Sequence, residues 1–180
     1  AVWRQWADAE AEGGRKIEAL AVLDRAAAEL KDEDFSQAQM WVFAAEGEKL
    51  AKAGQWEQAV TSADPGFAKL KGKALSDLTD WRTSLLGRWV NAHLQAGEFE
   101  KAAAAIDRGV SLVPDEKRFT NSLGYLAQEW SRKALRDGQM IEGEKALAKM
   151  IARYPKVTEV QKAAKSYFFR LVDDLSHEGK

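Results

Sequence analysis

Four glycines, Gly14, Gly54, Gly97 and Gly138, stand 40, 43 and 41 residues apart in a chain of 180. Self-similarity at such a period means one supersecondary unit written several times, each copy packing on its neighbours. Five positions after each glycine comes a small residue: Ala19, Ala59, Ala102 and Gly143. Nine after it come Leu23, Ala63, Ile106 and Leu147. Eight before it stands Trp6, Trp89 or Trp130, with Glu46 in the remaining place; Pro114 and Pro155 follow the last two glycines by seventeen. Glycine takes the left-handed conformation that ends a helix, and a small residue lets two antiparallel helices approach closely. A tryptophan two turns earlier is expected to fill the space between the helices of a pair. Proline then stops the second helix. The pattern is a helix hairpin, repeated.

Composition agrees. Alanine runs at 26–28 and 102–105 favour helix, only three prolines occur, and β-branched residues form no alternating strands. The fold class is therefore all-α. A hydrophobic share of 46% supports a core. With 27 basic and 28 acidic residues the net charge is -1, which lacks the basic excess expected of a nucleic-acid binder. Lys69, Lys71 and Lys73 read as a solvated face. No apolar run reaches the roughly 18–20 residues needed to insert into a bilayer. The absence of cysteine removes disulfides and thiolate chemistry, and is compatible with the cytoplasm or a bacterial periplasm. The chain opens on Ala1 rather than Met, as expected of a processed or trimmed product.

The series Trp89, Gly97, Phe99, Ala102, Ile106, Pro114, and the series Trp130, Gly138, Met140, Gly143, Leu147, Met150, Pro155, resemble the tetratricopeptide repeat. Phe43, Gly47, Leu50, Trp56 and Ala59 continue the resemblance around Gly54, and Trp3, Trp6, Gly14 and Ala19 around Gly14. The departures are a period of 40 to 43 rather than the family's 34, Val90 and Ser131 at the usual small position, and His93 and Ala134 at the usual tyrosine. The resemblance implies a right-handed superhelical α-solenoid of antiparallel helix pairs. Approximate repeats are 1–33, 34–75, 76–114 and 115–156, and a capping helix covers 157–177.

Within that frame the first pair is read as 2–12 and 14–31, with Ile17, Leu20, Leu23 and Ala27 facing inward. A polar stretch, Lys31 to Asp34, precedes a helix from Ser36 to about Ala53, whose partner runs from Gln55 to Ala63. Asp64-Pro65-Gly66 signals a turn, and 67–75 a short helical piece or irregular linker. Asp77 or Thr79 is expected to cap the helix that reaches Ala96. The remaining helices are 98–112, 115–137, 139–153 and one from Thr158, where Thr158-Glu159-Val160-Gln161 reads as a capping box. That last helix groups Val160, Ala164, Tyr167, Phe168, Leu171 and Leu175 on one face, with Lys162, Lys165, Asp173 and Asp174 opposite and Phe169 beside the stripe.

The residues offer little chemistry. His93 and His177 share no helical face, so a two-histidine zinc site is not expected, and His93 beside Trp89 reads as packing. Gly13-Gly14 lacks the lysine and hydroxyl of a phosphate loop. No cofactor is implied and no catalytic residue is assigned. First helices of such pairs line a concave face. The candidate groove residues are Arg4, Asp8, Trp41, Glu48, Ser84, Arg88, Asn91, Gln95, Tyr125, Gln128, Arg132 and Arg136. Asn91 and Arg132 match two positions of the carboxylate clamp of some relatives, but Arg4, Asp8, Ala44 and Glu48 do not complete it. The expected function is a non-enzymatic scaffold that binds a peptide segment or partner protein, with Trp41 and Tyr125 as apolar anchors and Arg132 for an acidic group. Two alternatives are a structural or self-associating subunit of a larger assembly, for example an envelope-associated one, and the helical sensor domain of a regulator.

Overall fold

The computed structural model describes residues 2–31, 33–114 and 116–177; Asp32 and the side chains of Asp174, Leu175 and His177 lie outside the description. Among the described residues the structure is all helix, with no strand. The helices are α1 (Val2–Glu12), α2 (Lys16–Glu29), α3 (Ser36–Lys52), α4 (Trp56–Thr61), α5 (Asp64–Lys69), α6 (Gly72–Gln95), α7 (Phe99–Leu112), α8 (Lys117–Arg136), α9 (Met140–Arg153) and α10 (Thr158–His177). The chain divides into two compact units, 1–85 and 86–180.

Each predicted turn glycine joins two helices and lies at positive φ: Gly14 at 77°, Gly54 at 74°, Gly97 at 71° and Gly138 at 68°. The four turns share one hydrogen-bond pattern. The glycine N–H donates to the carbonyl three residues back (2.9, 2.9, 3.1 and 3.0 Å) and the next N–H to the one five back (2.8, 2.9, 2.9 and 2.7 Å). These bonds satisfy carbonyls that the first helix leaves unpaired at its end. Gly54→Ala is expected to cost about 1 kcal/mol, since nothing lies within 4 Å of the added Cβ and the penalty is the left-handed backbone alone. Gly87→Ala, inside α6 with equal room, is expected to add about 0.5–1 kcal/mol. Urea unfolding of both variants tests the opposite signs.

In the first unit α1 packs on α2 and α3, and α3 on α4 and α5. One cluster joins Ala7, Ala19, Val22, Leu23, Ala26, Phe35 and Val42, with Trp3 and Leu20 partly buried beside it. A second joins Met40, Phe43, Ala44, Ala63, Leu70, Ala74 and Leu78. In the second unit α8 packs on α7, α9 and α10, and α9 on α10. Phe119, Leu123, Leu126, Leu147, Met150 and Val160 are all buried there.

Several expectations need correction. Trp6 does not fill the gap within its pair: it is 46% exposed, stacks on Trp3 with ring centroids 5.9 Å apart, and donates its indole N–H to Glu10 at 3.0 Å. The inward position is the next one, Ala7, and likewise Gly47, Val90 and Ser131, all buried. Trp89 and Trp130 are half-buried on the flank, Trp130 stacked on Phe99 at 5.5 Å. Ile17 is 80% exposed and Ala27 is exposed, whereas Leu23 is fully buried.

Asp64-Pro65-Gly66 opens a helix rather than a turn. Pro65 has no N–H for the carbonyl of Thr61, so α4 ends there, yet the fixed φ of proline suits the first turn of α5. Helix α6 starts at Gly72, so Asp77 and Thr79 lie inside it. Asp77 accepts from Lys73 and Gln37, both at 3.0 Å, and Thr79 donates to the Leu75 carbonyl at 2.9 Å. Thr158 is the first residue of α10 rather than its N-cap, and the N–H of Gln161 donates to the Val157 carbonyl at 3.4 Å rather than to the Thr158 side chain, so the expected capping box does not form; the Gln161 amide group donates to the Pro155 carbonyl at 2.9 Å.

Candidate functional site

In the first unit, residues one helical turn apart line a cleft of 590 Å³. Asp8 and Glu12 come from α1, Trp41, Ala45, Glu48 and Lys49 from α3, and Trp81 from α6. The small side chains of Ala11, Ala44 and Ala45 leave the room. Trp41 is 61% exposed, an unusual fraction for an indole, and offers its apolar face to the cleft. Trp81 is half-buried, and its indole N–H donates to Glu48 at 2.9 Å, which fixes both side chains. Three carboxylates (Asp8, Glu12, Glu48) face one ammonium (Lys49), so the cleft is negative overall. Such a surface attracts cations over a distance of roughly one Debye length, about 8–10 Å.

The second unit has a smaller, more polar cleft of 380 Å³ that brings together Asn91, Gln95 and Tyr125 with Glu129 and Lys133. Tyr125 is 54% exposed. Close by, the third turn is tied by His93 Nδ1 and Glu98 Oε2 at 2.6 Å, with the imidazole tilted against Trp89. Hydrogen bonds from Lys101 and then from His93 hold the Glu98 carboxyl below its ordinary range. Burial, and then its bond to the Asp107 carboxylate, pushes the Tyr154 phenol well above its ordinary value.

The predicted groove residues thus separate into two groups and several outliers. Asp8, Trp41 and Glu48 meet in the first cleft, and Asn91, Gln95 and Tyr125 in the second. Arg4 turns elsewhere, its guanidinium 5.5 Å above the Phe35 ring and 3.4 Å from the Asp34 carbonyl. Arg132 donates to Glu129 at 2.9 Å, so its charge is matched one turn back along α8. Ser84, Arg88 and Arg136 are exposed and Gln128 is half-buried, and none of the four lines either cleft.

Sequence reasoning missed Glu12, Lys49 and Trp81 in the first cleft, and Glu129 and Lys133 in the second. The available signal was spacing: Glu12 follows Asp8 by four residues, as Glu129 and Lys133 follow Tyr125 by four and eight. Among the described residues no group of three or more His, Asp or Glu side chains could hold a metal ion, and no helix is long and apolar enough to cross a membrane. No protein-family model matches the chain, and no curated protein or solved structure matches it.

Proposed function

We propose that the chain is a non-enzymatic protein-binding module, a divergent tetratricopeptide-like stack of helix pairs. On this reading its first unit takes a segment of another protein in the cleft of Asp8, Trp41 and Glu48. The observation that carries it is the exposed indole of Trp41 in a cleft flanked by carboxylates. Aromatic anchors in concave sites dominate binding energy, at about 2 kcal/mol or more each. An indole beside acids suits a Lys or Arg whose stem lies on the ring while its charge meets Asp8 or Glu12. The common turn pattern, and the packing of α1 on α3 and of α8 on α10, support the repeat reading.

Peptide-display selection on the purified chain, followed by calorimetry, tests this. Selected peptides should carry Lys or Arg next to an apolar residue, Trp41→Ala should weaken them at least tenfold, and raising salt should weaken them further. Selection without such a consensus, or equal affinity for Trp41→Ala, would refute the assignment.

A further inference from the structure

The cleft of the second unit repeats that of the first, position for position. Six, three and two residues before Gly14 stand Asp8, Ala11 and Glu12; the same steps before Gly97 give Asn91, Leu94 and Gln95. Thirteen, nine and five before Gly54 stand Trp41, Ala45 and Lys49; before Gly138 they give Tyr125, Glu129 and Lys133. In each comparison the first set lines the 590 Å³ cleft and the second set the 380 Å³ one. The geometry repeats too. A Cβ on Gly14 would lie 3.6 Å from Lys49 Nζ, and one on Gly97 would lie 3.7 Å from Lys133 Cε. Each lysine thus lies beside the turn glycine of the preceding helix pair.

What differs is charge. Both clefts keep a large exposed ring, Trp41 in one and Tyr125 in the other. Where the first has the carboxylates of Asp8 and Glu12, the second has the carboxamides of Asn91 and Gln95, both exposed. Its remaining charges are matched: Glu129 accepts from Arg132 at 2.9 Å, and Lys133 donates to Asp137 at 2.8 Å. A carboxamide both donates and accepts, as a peptide group does, and has no charge that would favour a basic or an acidic ligand. The tyrosine adds a flat apolar face and a hydroxyl.

We infer that the cleft of Asn91, Gln95 and Tyr125 is a second polypeptide-binding site, and that it takes an uncharged segment. An aromatic or aliphatic side chain of that segment lies on the Tyr125 ring, and its peptide groups hydrogen-bond to Asn91 and Gln95. The position in the repeat is shared and the charge is not, so the two clefts select different segments: basic at Trp41, uncharged at Tyr125. The inference has only the class of ligand in common with the Trp41 assignment, so either can fail alone.

The probe is a random-peptide display library, selected on the whole chain carrying Trp41→Ala so that no enriched peptide depends on the first indole. Enriched peptides should carry an aromatic or aliphatic residue among uncharged ones. In calorimetry Tyr125→Ala should weaken them at least tenfold, while added salt changes their affinity by less than about twofold. Asn91→Asp together with Gln95→Glu should redirect enrichment to peptides bearing Lys or Arg. All four positions are exposed, and circular dichroism checks that the helices persist. The inference is overturned if no enriched peptide depends on Tyr125, if those that do are already charged, or if the double substitution leaves the enrichment unmoved. Selection on the unchanged chain separates the two clefts. Peptides that depend on Trp41 alone sink this inference and spare the Trp41 assignment; peptides that depend on Tyr125 alone do the reverse.

Discussion

Phe119→Ala is expected to lower the unfolding free energy by about 3–5 kcal/mol. Phe119 is 1% exposed in the first turn and a half of α8 and is seated on Gly109 of α7. A Cβ at Gly109 would lie 2.6 Å from the ring, so large and small residues interlock there without spare volume. Removing the ring leaves a cavity walled on one side by Gly109, which has no side chain to fill it. Chemical denaturation followed by far-UV circular dichroism measures the loss. A cost below about 1 kcal/mol would mean that α7 and α8 do not meet in this way.

Gly47→Ala should destabilise the first unit by about 2–3 kcal/mol, although Ala is the better helix former by about 1 kcal/mol. The added Cβ would come within 2.4 Å of the Trp81 ring and 2.9 Å of the Ala59 carbonyl. The ring is rigid and held by Glu48, and the carbonyl belongs to the backbone of α4, so neither yields cheaply. The substitution therefore also loosens one wall of the cleft, and affinity for cleft-bound peptides should fall with stability. Gly54→Ala separates the two causes: it strains only a turn, and its effect on peptide affinity should be negligible.

The turn glycines made most of the helix boundaries legible, because a left-handed residue ends a helix wherever it falls. Helices α1, α3, α7, α9 and α10 lie within one or two residues of the spans read from sequence. Legibility failed where one residue type has two meanings. Pro65 both ends α4 and starts α5, and Asp77 and Thr79 are as well placed to bond within a helix as to cap one. The tryptophans misled for a different reason. Their size suggests burial, but one residue on a helix is a rotation of about 100°, and the small neighbour Ala7 or Ser131 takes the inward direction. In the clefts, single positions such as Asp8, Trp41 and Asn91 were legible from the first-helix register. The partners of the two arginines were not: the ion pair of Arg132 with Glu129, and the hydrogen bond of Arg4 to the Asp34 carbonyl, depend on side-chain paths that spacing does not fix.

Backbone NMR of the isotopically labelled chain tests most directly whether the forty-residue period writes helix hairpins. Carbon chemical shifts and amide couplings should show helix on both sides of Gly14, Gly54, Gly97 and Gly138, with left-handed geometry at each glycine and contacts between small residues across each pair. A helix running unbroken through any of these glycines, or strand shifts on either side of one, would contradict it.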